Sequence, residues 1–270
     1  MNDSINLFNE RRKKRIEERK DEEDITWIST KEGAHIPLVD GESIGGWSKG
    51  KKFNQTGTDR DFFSEFENNG TYINESIKKY KGNKNLNNVL KGVNDVYSDF
   101  GMNTSEIKGI GVDGVGLKTH NEAASINGAG DLTVRKLLLD NDNFDKEEKD
   151  GYTINNTSYG VGTHEAGHGI MGKMYKTLPL ELLYGGKVPE KYLSENYARS
   201  MARKDQRLEK MILKEAKQRY GSNPVISKYG STKFAEKVAE AFCDVYSNGD
   251  KAKEYSHVIV DIAKEYFKRK

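Results

Sequence analysis

The chain has 270 residues, 34% hydrophobic and 32% charged, with a formal net charge of +2 and one cysteine. This length allows one large domain or two small ones, and the polar composition leaves room for solvated arms or linkers beside a core. The near-balanced charge argues against nucleic acid or a membrane surface as a partner. The lone Cys243 excludes an intrachain disulfide and a cysteine-rich zinc site, and no apolar run approaches the roughly 20 residues that span a bilayer.

Residues 1–24 are mostly charged, basic at 11–15 and mainly acidic from 17 to 24, which predicts a charged N-terminal arm. They lack the apolar stretch of an ordinary signal peptide, so a cytoplasmic location is expected. In residues 25–60, ITWIST and HIPL predict two short strands around a turn at Glu32–Gly33, and the Gly, Lys and Asp-rich stretch from 39 to 60 predicts a linker. His35 belongs to that hairpin and is expected to be structural.

Residues 61–100 carry a helical period through Phe62, Phe63, Phe66, Ile73, Ile77, Tyr80, Leu86, Leu90, Val93 and Tyr97. The period is interrupted at Asn69–Gly70 and Gly82–Asn83. Between 104 and 135 the runs EIKGIGV, GLKT and DLTV predict a small mixed or antiparallel sheet. Gly109, Gly111 and Gly114 match G-x-G-x-x-G, but VGLKTH opens no helix, so these glycines are expected in turns and not in a dinucleotide site. A loop is expected over 140–156. Helices follow at about 158–176, between 189 and 220 as one long charged segment, at about 232–247, and at about 251–267.

The chemistry concentrates in His164-Glu165-Ala166-Gly167-His168. On a helix, positions four apart share a face, so both imidazoles reach one Zn²⁺. Glu165 flanks the attacking water as general base, while the metal acidifies that water and polarises the scissile carbonyl. Thr157 or Ser158 is placed to cap the helix, and Val161, Met171 and Tyr175 continue its apolar positions. Met171 and Met174 stand where a metzincin needs Gly and His, so the third ligand must come from elsewhere. YGSTKFAEKVAEAFCDVYSNG supplies carboxylates on a later helix. Phe234, Val238, Phe242 and Val245 form one face, and Glu236, Glu240 and Cys243 lie on another among small alanines. One ligand and one carboxylate behind a ligand histidine are expected. Spacing leaves Glu236–Glu240 and Glu240–Asp244 equally open as that pair.

HEAGH followed by YGSTKFAEKVAEAF resembles the anthrax lethal factor type of gluzincin zinc peptidase, and related domains in bacteriophage minor head proteins and some bacterial toxins. The resemblance implies an α+β, zincin-like catalytic domain over 61–270, with a small sheet on the metal helix and a C-terminal helical subdomain. It implies Glu236 as the third zinc ligand, Glu240 as the carboxylate behind it, and Tyr229 as a phenol stabilising the oxyanion or protonating the leaving amine. It also implies a zinc endopeptidase acting on a protein or peptide. The alternatives are a structural or host-interacting phage-head protein and a toxin effector. WISTKEGAHIPLVDGESIGGWSKGKKF separately resembles a module of phage head-morphogenesis proteins, which implies association with the virion. The spacer of about 67 residues between His168 and Glu236 is longer than the family pattern, and its charged helix is expected to act as an inserted flap. In this fold class a strand lines the cleft beside the metal helix, and EAASINGAGDLTV is the candidate. His120 and His257 are expected to have no direct role.

Overall fold

The computed structural model describes residues 25–29, 35–39, 42–43, 60–112, 123–146, 152–192 and 194–269. The chain divides into two units, residues 1–52 and 53–270. In the first, β1 (Ile25–Ser29), β2 (His35–Val39) and β3 (Glu42–Ser43) form an antiparallel meander, with Trp27 opposite Pro37 and Val39 opposite Glu42. The expected hairpin is there, with His35 opposite Ser29. The stretch expected to be a linker contributes a third strand instead. Asp40–Gly41, a pair favoured in two-residue hairpin connections, is the signal that the linker expectation overlooked. The expected N-terminal arm, the rest of the linker, Gly114, GLKT and His120 lie outside the described residues.

The second unit is mixed α and β, mostly helical, with one four-stranded sheet. In chain order it contains α1 (Phe62–Asn68), β4 (Tyr72–Ile73), α2 (Glu75–Lys78), α3 (Lys84–Asp99), β5 (Gly109–Val112), β6 (Ala124–Ile126), β7 (Asp131–Val134) and α4 (Lys136–Asp140). It continues with α5 (Ser158–Thr177), α6 (Leu180–Tyr184), α7 (Glu195–Lys204), α8 (Arg207–Tyr220), α9 (Phe234–Asn248) and α10 (Glu254–Phe267). The sheet runs β4-β5-β7-β6, parallel except for the antiparallel hairpin of β6 and β7, which leaves β6 on an edge among the described residues. Gly109 and Gly111 sit inside β5, not in turns as expected. A Cβ on Gly109 would lie 3.0 Å from an Asp131 carboxylate oxygen, so the bare backbone makes room for that neighbour.

Helix α5 is the axis of this unit. Thr157 caps it, its hydroxyl accepting from the Gly160 amide at 3.0 Å. Helix α3 packs on one side of it, α9 on another, and β6 lies alongside. Val89, Leu90, Val93, Ile170, Met174, Val238 and Phe242 fill the space between the three helices and are fully or almost fully buried. Two glycines set the closest approach. A Cβ on Gly162 would fall 2.1 Å from the Val89 carbonyl oxygen, and one on Gly92 would fall 2.6 Å from the Tyr159 carbonyl oxygen. Covered on several sides, α5 has no single apolar stripe.

Two further expectations need correction. The long charged helix is two helices, broken at Asp205–Gln206, where Gln206 takes the left-handed conformation at φ 52°. In α9 the expected apolar face is buried only in part, at Val238 and Phe242, and the face carrying the carboxylates is buried as well. Phe234 is 47% exposed, whereas Glu240 and Asp244 are each 1% exposed. Packing from α5, α10 and the Tyr229 turn covers this helix nearly all round. Among the described residues no helix is long and apolar enough to cross a membrane.

Candidate metal centre

His164 and His168 stand one turn apart on α5, and Glu236 enters from the first turn of α9. The Nε2 atoms of both histidines lie 3.3 Å from the same atom, Glu236 Oε2. Gly167, between the histidines, allows this approach. A Cβ there would meet Phe242 at 3.1 Å and Ala239 at 3.3 Å, holding the carboxylate helix away.

Glu236 Oε2 is buried and has no well-formed hydrogen bond among the described residues. Such an atom costs roughly 1–3 kcal/mol or more when left unpaired. Two imidazole nitrogens and one carboxylate oxygen lie within 4.8 Å of one another, a group that could hold a metal ion, and His₂Glu is a donor set that zinc accepts. Ligands about 2.0–2.1 Å from a tetrahedral ion are about 3.4 Å apart, which matches the 3.3 Å separations. The residues therefore fit a zinc ion, which would satisfy the orphaned oxygen.

Glu240 works from behind His164. Its Oε1 lies 3.0 Å from His164 Nδ1, and its Oε2 accepts from the Ile154 amide at 2.7 Å. A carboxylate oxygen here accepts from Nδ1–H, which fixes the ring with Nε2 facing Glu236. Without an ion, burial opposes charge on His164, but the Glu236 and Glu240 carboxylates outweigh it and push its pKa up to about 10. Burial likewise opposes ionisation of Glu236, and the two imidazoles outweigh it, leaving its pKa well below the usual carboxylate range. Metal ligation takes the neutral imidazole, so an ion held here would take the place of the Nε2 proton, with Glu240 holding the one on Nδ1.

Asp244 is engaged elsewhere. It accepts from Ser256 Oγ at 2.7 Å, the Lys253 amide at 2.9 Å and Asn248 Nδ2 at 2.7 Å, tying α9 to α10. Of the two carboxylate pairs left open by spacing, Glu236–Glu240 is the one brought to the histidines.

Glu165 points toward the sheet edge, where its Oε2 accepts from the Ile126 amide of β6 at 3.0 Å. Burial raises its pKa. Tyr229 begins a 3-10 turn, Tyr229–Ser231. Its ring lies 5.8 Å from that of His164 and 5.5 Å from that of Tyr152. Its amide donates to the Tyr152 carbonyl at 2.9 Å. The next residue must be small, because a Cβ on Gly230 would come 3.3 Å from Glu240 Cγ. Cys243 is buried, as expected for a small apolar residue, and burial raises its thiol pKa. His257 lies on α10, half-buried and outside the ligand cluster.

These side chains open on a cleft of about 220 Å³. Ala124, Ser125 and Ile126 of β6 form one wall. His164, Glu165, His168, Met171, Gly172 and Tyr175 form the floor. Tyr229, Ala235, Glu236, Arg203, Gln206 and Glu209 complete the lining. The strand expected to line the cleft is therefore β6, within EAASINGAGDLTV. The segment expected as a flap contributes Arg203, Gln206 and Glu209, three cleft residues that the sequence reading missed. Tyr175, expected as an apolar position of the helix, also lines the cleft. Its spacing from His168 and Gly172 was the available signal, since these positions recur on one helix face. The Tyr175 hydroxyl donates to Glu209 Oε2 at 2.5 Å and accepts from the Leu208 amide at 3.0 Å. Gln206 Oε1 accepts from the Ala235 amide at 2.9 Å, capping α9 across the cleft where Lys233 supplies no side-chain cap. No known protein family, curated protein or solved structure matches this chain.

Proposed function

We propose that the chain is a zinc-dependent endopeptidase with a zincin-like catalytic domain. The observation that carries this reading is the convergence of His164 and His168 Nε2 on an orphaned buried oxygen of Glu236. His164, His168 and Glu236 would hold the ion. When bound, zinc acidifies water and polarises a carbonyl.

The chain's own groups supply the rest. Glu240 orients His164. Glu165, beside the first ligand and facing the cleft, takes a proton from the attacking water and returns it to the leaving amine. Tyr229, on the cleft wall beside His164, is the phenol available to an oxyanion. The edge of β6 supports a peptide as substrate. The Ile126 amide points outward to Glu165, and strand alternation gives Ala124 the same outward orientation, available to an added strand.

The test is Glu165→Gln. The variant is expected to retain zinc and to lose cleavage of a denatured protein mixture that the wild type digests. Chelation should abolish the wild-type digestion and zinc should restore it. A Glu165→Gln protein that digests as well as wild type would overturn the assignment.

A further inference from the structure

Arg203 is the one Arg or Lys among the residues lining the cleft. Its neighbours in sequence have structural work. Arg199 pairs with Glu195 and donates to the carbonyls of Tyr175 and Leu178. Arg207 pairs with Asp205 and stacks over Tyr184. Arg203 has neither an ion pair nor a hydrogen bond among the described residues.

Its position is defined by two glycines. Nη1 lies 2.3 Å from where a Cβ on Gly128 would sit, in the turn between β6 and β7. Nη2 lies 4.0 Å from where one on Gly172 would sit, one helical turn past His168. The guanidinium thus stands beside the turn that ends the edge strand, near the α5 position about 6 Å along the helix axis from the second histidine. An extended peptide on β6 advances about 3.3 Å per residue, so its side chains two or three residues from the scissile bond reach this group. Glu209, which also lines the cleft, is engaged by the Tyr175 hydroxyl; it feels the Arg203 charge but makes no hydrogen bond or ion pair with it among the described residues.

We propose that Arg203 is a specificity residue that selects peptides with an acidic side chain within about three residues of the cleaved bond. A planar guanidinium binds a carboxylate through two parallel hydrogen bonds, which a neutral or basic side chain cannot match. The proposal rests on the peptidase reading for its substrate class. For a chain running antiparallel to β6, the acidic residue lies on the N-terminal side of the scissile bond, because Gly128 follows the C-terminal end of β6.

The experiment separates the two ideas. Zinc-loaded Glu165→Gln is applied to an array of tethered decapeptides, half with free and half with amidated C-termini. Glu165→Gln/Arg203→Glu and Glu165→Gln/Arg203→Lys are applied in parallel. Acidic peptides are expected to be retained whatever their C-terminus, with binding reduced about 10- to 100-fold by Arg203→Glu and by less in Arg203→Lys, which keeps the charge but loses the paired hydrogen bonds. Arg203→Glu should also shift preference toward Lys and Arg, which a merely structural role would not do. Wild-type digests of a peptide library should show the same acidic preference. The proposal is overturned by acid-independent binding, by a profile unchanged in Arg203→Glu, or by binding only to free C-termini. Arg203-dependent acidic binding without wild-type cleavage would instead sink the peptidase reading.

Discussion

Glu240→Gln isolates the carboxylate behind His164. In the native protein both oxygens accept at once, one facing His164 Nδ1 at 3.0 Å and the other the Ile154 amide at 2.7 Å, in a position 1% exposed. An amide of the same shape has one acceptor. If its oxygen keeps the Ile154 amide, its NH₂ faces Nδ1. The imidazole must then accept there and carry its proton on Nε2, where a metal ligand needs a lone pair. If its oxygen keeps Nδ1, its NH₂ confronts the Ile154 N–H and leaves a buried donor unpaired, at about 1–3 kcal/mol. Either way zinc affinity should fall roughly 10- to 100-fold, the usual cost of removing such a partner. Competition with a chromophoric chelator measures this directly on folded protein. Glu236→Gln, which alters the proposed ligand, should cost more. Affinity for Glu240→Gln within twofold of wild type would refute the orientation argument. Loss of zinc from Glu240→Ala with retention by Glu236→Ala would reverse the two roles.

Three other outcomes follow from the packing. Gly162→Ala gains about 1 kcal/mol of helix propensity, but its methyl would meet the Val89 carbonyl at 2.1 Å. Overpacking of about 1–3 kcal/mol, raised by so short a backbone contact, should prevail and lower Tm in calorimetry. An unchanged or higher Tm would mean that α3 and α5 separate easily. Gln206→Ala removes the bond to the Ala235 amide and should cost about 1 kcal/mol in urea unfolding, as the loss of a cap does. No change would show that water replaces it. Chelation should lower Tm of the wild type and leave that of Glu236→Ala unmoved, because a ligand that binds only the folded state stabilises it. Equal shifts in both proteins would place the metal elsewhere.

Local signals carried the metal helix. The motif, the Thr157 cap and the apolar positions gave α5 nearly to its observed ends, since each depends on residues within one or two turns. The mixed sheet was legible from the runs around β5 and β7. The break at Gln206 was not. A left-handed glutamine is an unusual helix boundary, and its side chain acts on Ala235, nearly thirty residues away. The choice between Glu236–Glu240 and Glu240–Asp244 was equally beyond spacing, because Ser256 and the Lys253 amide beside α10 claim Asp244. Arg203 and Glu209 reach the cleft only through the folding of α7 and α8 against α5, a long-range placement without a periodic signature.

The most direct measurement is the zinc content per chain of purified wild type beside Glu236→Ala, after exposure to zinc and removal of the excess. A centre built by His164, His168 and Glu236 predicts one zinc per wild-type chain and its loss from Glu236→Ala. No zinc in the wild type, or equal zinc in both, would contradict it.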